Sequence, residues 1–162
     1  MRDQAEKLRM QMLESQGSIG RSIAVVSGKG GVGKSNFSTN FASLLVKAGK
    51  KVVILDMDIG MGNIHILIGK TAQASLTDYL DGNRALEDVM YEGPNGLQYI
   101  SGGSGMTSLV EWSPAMFDKL IEAFQSLQKQ FDYILFDMGA GATSWSLQLL
   151  TSVDEIIVIS TA

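Results

Sequence analysis

Cysteine is absent from these 162 residues, histidine occurs once and proline twice. Without a thiol the chain holds no disulfide, no thiolate-bound zinc, no Cys-ligated iron–sulfur cluster and no thiol nucleophile, and a reducing cytoplasm is its natural setting. The lone His65 has no second imidazole with which to share a metal and reads as a structural residue. No apolar run approaches the roughly 18 residues that span a bilayer, and the first residues are polar and charged, so neither a transmembrane helix nor a secretory signal is expected. A net charge of -4 gives no global electrostatic reason to bind nucleic acid.

What is present is a repeated grammar of short apolar runs and helical stretches. Residues 1–20 form an arm: 1–17 are charged and free of β-branched residues, which predicts a short exposed helix or mobile segment outside the core, and Gly17 to Gly20 breaks it from the rest. From Ser22 the run Ile23-Ala24-Val25-Val26 reads as a strand buried on both faces. A glycine-rich loop follows, then a helix from Asn36 to Ala48, with Phe37, Phe41, Leu44, Leu45 and Ala48 at helical spacing and Gly49 closing it. Further strands are predicted over Lys51 to Asp56, Leu97 to Ser101, Tyr133 to Asp137 and Glu155 to Ser160. Helices are predicted over Ser75 to Leu80, Ala85 to Met90 and Pro114 to Gln130, the last capped by Ser113.

Strands alternating with helices imply right-handed crossovers and an α/β fold, a mainly parallel doubly wound sheet flanked by helices. Strand Tyr133 to Asp137 is expected beside strand Ser22 to Ser27. The strand ending at Ile159 is followed only by Ser160-Thr161-Ala162, and a bare parallel edge strand invites aggregation, so the sequence is expected to be truncated at its C-terminus.

The run Gly28-Lys29-Gly30-Gly31-Val32-Gly33-Lys34-Ser35 fits G-x-x-x-x-G-K-[ST], between strand and helix as that pattern requires. Its glycines let successive main-chain N–H groups turn around phosphate oxygens without a Cβ in the way. The helix that follows points its positive end at the same phosphates, Lys34 reaches the terminal ones, and the Ser35 hydroxyl is placed for Mg²⁺. Asp56 and Asp58 stand at the tip of the second strand and Asp137 at the end of another, and in a parallel sheet these carboxyl ends converge on the loop. Asp137 is assigned to the metal shell, directly or through water. The glycines after Asp58 and Asp137 would let each loop move when a terminal phosphate leaves.

The lysine before the paired glycines, giving Lys29-Gly30-Gly31-Val32-Gly33-Lys34-Ser35, resembles the deviant phosphate loop of the MinD/ParA family of dimerising ATPases. Leu55-Asp56-Met57-Asp58-Ile59-Gly60-Met61-Gly62-Asn63 is similar to that family's first switch, and the likeness runs from Ser22 to Thr161. On this resemblance residues 21–162 are the N-terminal part of a MinD-like ATPase domain that hydrolyses ATP to ADP with Mg²⁺. Its nucleotide-binding positions are Gly28 to Ser35, Asn36 and Gly141, and its metal positions Ser35, Asp58 and Asp137. The resemblance implies a homodimer when ATP is bound, with Lys29 reaching the partner's phosphates and Asp58 activating the attacking water. The second switch departs from the usual Asp-Thr-Pro-Ala-Gly, having Asp137-Met138-Gly139-Ala140-Gly141, which predicts a more mobile loop there.

Within the arm, Asp3-Gln4-Ala5-Glu6-Lys7-Leu8-Arg9 resembles that of the FlhG (YlxH/FleN) group of flagellar-number regulators. Membership implies an arm that stimulates an FlhF-like GTPase of the signal-recognition-particle type through Asp3, Gln4, Ala5, Leu8 and Arg9, and a body that contacts flagellar C-ring and switch components. It also implies a cytoplasmic protein with peripheral membrane contact at the inner face, through a C-terminal helix outside this sequence. No specific nucleic acid is expected, and adenine over guanine follows from the resemblance alone. A ParA-type DNA partition ATPase stays open as an alternative, against which the acidic balance weighs, and so does a scaffold that binds nucleotide with negligible turnover. An iron–sulfur carrier of the same loop type is excluded by the missing cysteines. Trp112 and Trp145 read as packing residues, while Met57, Met61 and Met138 could repack between states of the switch loops.

Overall fold

The computed structural model describes residues 4–5, 19–31, 33–58, 64, 66, 69, 73–103, 113–139 and 144–161. The first apolar run forms β1 (Arg21–Ser27), the helix after the glycine loop is α1 (Lys34–Lys47), and β2 (Val52–Asp56) follows. A short α2 (Leu76–Leu80) is started by Asp78, whose carboxylate accepts from the Ser75 N–H at 2.8 Å. Helix α3 (Pro114–Gln130) has the predicted limits, with Ser113 Oγ accepting from Met116 N at 3.2 Å. Strand β5 (Tyr133–Asp137) leads to α4 (Ser144–Ser152) and β6 (Glu155–Ile159).

Between Glu87 and Ile100 the chain departs from its expectation. The helix predicted over Ala85 to Met90 is a single 3-10 turn, Glu87–Val89, after which Met90 opens β3 (Met90–Glu92), paired antiparallel to β4 (Gln98–Ile100). Six residues are too few to hold an α-helix by propensity, whereas pairing Tyr91 with Tyr99 gives the segment ladder bonds and an aromatic contact at 5.5 Å. The connecting turn needs left-handed backbone at Asn95 (φ 58°) and Gly96 (φ 84°). Helix α4 has no counterpart among the predicted elements. Two of its three buried positions are serines, Ser146 and Ser152 with Leu149, so its buried stripe carries little apolar signal.

The six strands run in the order β3-β4-β2-β5-β1-β6, parallel except for β3. As expected, β5 lies beside β1, pairing Ile23 with Leu135. Alternate residues of the inner strands face opposite layers. Val52, Ile54 and Leu135 pack with Ala42 of α1, while Val53, Leu55, Ile134 and Phe136 pack with Leu76, Leu120, Phe124 and Leu149 of α2, α3 and α4. Trp145 packs against the second layer, and Met57 and Met138 are buried in it, so both methionines are core residues.

The orientation of α1 follows its apolar periodicity only in part: Phe41 and Leu45 pack against the first layer, but they are not its most buried positions. Its buried positions are Lys34, Ser38 and Ala42, and Leu44 is 63% exposed. The first turn fixes this: a helix whose Lys34 and Ser38 both reach Asp137 at the end of β5 must turn that stripe inward, and Leu44 falls on the other side. At the edge strand β6, Ile156 and Val158 are exposed. Its start is pinned to β1, because Asp154 Oδ2 accepts from Ser22 N at 2.8 Å and from Ser22 Oγ at 3.0 Å.

Candidate functional site

The carboxyl ends of β1, β2 and β5, the three central strands, set the site. After β1 the loop carries left-handed backbone at Gly31 (φ 76°) and Gly33 (φ 85°), which glycine adopts without strain. A Cβ added to Gly28, Gly30, Gly31 or Gly33 would meet nothing within 4 Å among the described residues, so the loop is uncovered at these positions. Gly33 is the N-cap of the 14-residue α1, whose first turn holds no acidic residue to neutralise its positive end.

Asp137 gathers the side chains. It is 1% exposed and lies at the last position of β5. Its Oδ1 accepts from Lys34 Nζ at 2.5 Å and from Ser38 Oγ at 3.2 Å, and its Oδ2 accepts from Ser35 Oγ at 2.7 Å. A buried carboxylate thus has one full counter-charge and two hydroxyl donors, as burial requires. Lys34, Ser35 and Asp137, singled out in the sequence, are brought together. Ser38 was not, although its place one turn after Lys34 on the same helix face carries the signal.

Beside this cluster stand the two carboxylates at the end of β2, Asp56 its last residue and Asp58 just beyond. Asp56 is buried against Asp137, with which it is in register, and burial first and the Asp137 charge second push its carboxyl up to about 7. Its oxygens accept from Asp58 N at 3.1 Å and from Ile64 N at 3.4 Å, which work the other way. It therefore ties Asp58 to Ile64, a role the sequence did not disclose. Asp58 is half-buried, and desolvation raises its carboxyl above the ordinary range, opposed by the Lys34 charge and reinforced by Asp137. Asp58 is thereby within electrostatic reach of both the phosphate-loop lysine and Asp137.

Lys29 is exposed, with its carbonyl accepting from Ser27 Oγ at 2.9 Å, and Asn36 is exposed in the first turn of α1. Val32 and Gly141 lie outside the described residues, as do Asp3, Leu8, Arg9, Met61, His65 and Trp112. In the arm, Gln4 is exposed and its Nε2 is 3.5 Å from Asp118 Oδ1 of α3, whereas Ala5 is buried, unlike the exposed segment expected.

The donor set fits a magnesium nucleotide. Open main-chain amides and Lys34 suit phosphate, and Mg²⁺ characteristically takes one hydroxyl or one to two carboxylates from the protein and the rest from phosphate and water. Ser35 carries a hydroxyl, and Asp58 and Asp137 carboxylates, of that kind. A separate open groove of about 560 Å³, lined by Lys50, Lys51, Gln98 and Phe131 among others, lies at the opposite end of the strands and takes no part in this cluster.

Comparison with known proteins agrees with this geometry. The profile of the family described as ParA, NUBPL iron-transfer P-loop NTPase, matches residues 18–162. The antiactivator FleN of Pseudomonas aeruginosa is 36% identical over 137 residues, covering 85% of this chain and 49% of that protein. The flagellum site-determining protein YlxH of Helicobacter pylori is 36% identical over 140 residues, covering 86% of this chain and 47% of that one. The chain thus spans about half the length of the curated relatives it matches. Among solved structures, the septum site-determining protein MinD of Pyrococcus horikoshii, complexed with Mg-ADP, superposes with a TM-score of 0.72 at 31% identity, covering 88% of this chain and 58% of that one. Iron transfer does not carry over from the profile's description through thiolates, since these residues hold no cysteine. The profile match over residues 18–162 and relatives 36% identical over 85% or more of its length make this chain a member of the ParA/MinD-type family of P-loop NTPases.

Proposed function

We propose that this chain is the nucleotide-binding part of a MinD-like ATPase that works as an ATP-dependent dimerisation switch in the control of flagellar number and placement. The observation that carries the chemistry is the convergence of Lys34 Nζ, Ser35 Oγ and Ser38 Oγ on Asp137 at the mouth of the glycine loop. Lys34 gives one of its three N–H donors to Asp137 and has others for a phosphate oxygen. Magnesium, when bound, neutralises the negative charge shared by the phosphates. The amides from Gly28 to Ser35 orient the triphosphate, and Ser35, Asp58 and Asp137 are the residues that would hold the metal. Asp58 accepts a hydrogen bond from the attacking water and orients it in line with the terminal phosphate. Exposed Lys29 supplies positive charge to the partner subunit's nucleotide.

The flagellar assignment draws its support from FleN and YlxH and from the arm motif at Asp3 to Arg9. The arm stimulates an FlhF-like GTPase, the body meets C-ring components, and a helix outside this sequence gives membrane contact. Two experiments test this. In ATP, Asp58→Ala is expected to bind nucleotide and to form a dimer that outlives the parent's, and equal lifetimes would refute the switch. Pull-down of an FlhF-type GTPase is expected to fail once residues 1–12 are removed. ATP-dependent, salt-sensitive binding to random DNA would instead favour a partition ATPase.

A further inference from the structure

Ser38 has one hydroxyl proton and two acceptors for it. Its Oγ stands 3.0 Å from Lys34 O, one turn back along α1, and 3.2 Å from Asp137 Oδ1. The residue is fully buried, and a hydroxyl hydrogen turns about its C–O bond without moving any heavier atom. From one position the same Oγ can therefore serve either acceptor.

Asp137 depends on such donors for its orientation. The last torsion of an aspartate is broad, so the plane of its carboxylate is set by what bonds to it. Helix α1 reaches both oxygens: Ser35 Oγ donates to Oδ2 at 2.7 Å, and three residues on, Ser38 Oγ lies at Oδ1. Lys34 Nζ is the third group, 2.5 Å from Oδ1, the oxygen that Ser38 also reaches. Of these two the lysine is the one a phosphate draws away, since an ammonium attracted by a second anion is pulled from the first. A buried carboxylate oxygen left short of a donor is costly. Ser38 loses little by turning to it, because a serine bond back to the carbonyl four residues earlier adds nothing to helix stability and tends to bend the helix.

We propose that Ser38 is a positioning residue for Asp137: its hydroxyl shifts from Lys34 O to Asp137 Oδ1 as Lys34 turns to the phosphate, and so holds the carboxylate plane through nucleotide binding. This rests on the nucleotide role proposed above for Lys34 and Asp137. Ser38 is then almost silent in the empty protein and matters once nucleotide is bound. Thr39 supplies the contrast, since its Oγ1 makes the same kind of back-bond, to Ser35 O at 2.8 Å, and among the described residues makes none to Asp137.

The test compares the parent, Ser38→Ala and Thr39→Ala by calorimetric titration with Mg-ADP and by thermal unfolding without nucleotide. Ser38→Ala is expected to weaken Kd about tenfold, the loss of one bond to a charged acceptor, while its Tm without nucleotide stays within about 2 °C of the parent. Thr39→Ala is expected to keep the parental Kd. A crystal structure of the parent with Mg-ADP is expected to have Ser38 Oγ about 2.7 Å from Asp137 Oδ1 and farther from Lys34 O. Parental Kd in Ser38→Ala, or a Ser38 Oγ that stays nearer to Lys34 O in the complex, would overturn the shift and leave the nucleotide site standing. An equal loss of affinity in Thr39→Ala, or a larger fall in Tm of empty Ser38→Ala, would trace the effect to the helix and overturn the shift as well. A parent that gives no heat with Mg-ADP would remove both the shift and the nucleotide site.

Discussion

Lys34 and Asp137 illustrate how a buried ion pair behaves asymmetrically. Both are nearly inaccessible, and Asp137 is the counter-charge of the ammonium as well as an acceptor for the Ser35 hydroxyl and, shared with Lys34 O, for that of Ser38. Asp137→Ala leaves the lysine buried without a counter-charge and is expected to lower stability by about 3 kcal/mol, read from the urea midpoint. Asp56 titrates in the opposite sense to a salt-bridged carboxylate. Its proton is held to about 7 in the folded chain against an ordinary 3.8, so the folded state binds more protons between those values. This group's contribution to stability is therefore greatest at low pH and is lost as pH rises from about 4 to 7. With EDTA and no nucleotide, the parent is expected to lose stability through that window, and Asp56→Asn is expected to display a flatter profile; parallel profiles would contradict the assignment. At this scale Lys34, Ser35, Asp58 and Asp137 were legible because a motif or a strand tip marks them. Asp56 was visible only as a strand-end carboxylate, since its tie to Ile64, eight residues on, is a contact no local pattern specifies.

Elements were legible where their physics is local. Pro114 and Ser113 announce the start of α3, and Ser113→Ala is expected to cost about 1 kcal/mol by thermal or urea unfolding, with activity unchanged. Apolar runs announce the inner strands because both faces of a parallel sheet are covered. Where tertiary contacts decide, the pattern failed. The Ala85 to Met90 segment yields to pairing with β4, α4 hides its buried stripe in serines, and α1 turns by the pull of Asp137 rather than by Leu44. Gly20 is a further contact of this kind. It enters β1 so close to the end of α3 that an added Cβ would lie 2.1 Å from Phe131 O and 3.1 Å from Gln128 O. Its N–H also donates to Gln128 O at 2.9 Å. Main-chain carbonyls cannot rotate away as a side chain can, so Gly20→Ala is expected to destabilise by about 3 kcal/mol. A change in midpoint below a third of that would contradict the close approach.

For the whole molecule, the sheet order puts β1 between β5 and β6 and β5 between β1 and β2, so three strand ends deliver the phosphate loop, Asp137 and the Asp56–Asp58 pair to one edge. That convergence follows from the alternation of strands and helices, and it is the part of the architecture the sequence conveyed best. The antiparallel β3 at one end and the exposed Ile156 and Val158 of β6 at the other lie outside what periodicity predicts. An acidic chain of net charge -4 meets an anionic ligand only through a local field, here that of Lys29, Lys34 and the start of α1. Binding is therefore expected to depend on those few groups, and Lys34 is the buried one. Isothermal titration of the folded protein with Mg-ADP measures this directly: one nucleotide is expected per chain, with binding abolished in a Lys34→Ala variant whose circular dichroism matches the parent. Absence of heat for the parent, or unaltered affinity in Lys34→Ala, would contradict the account.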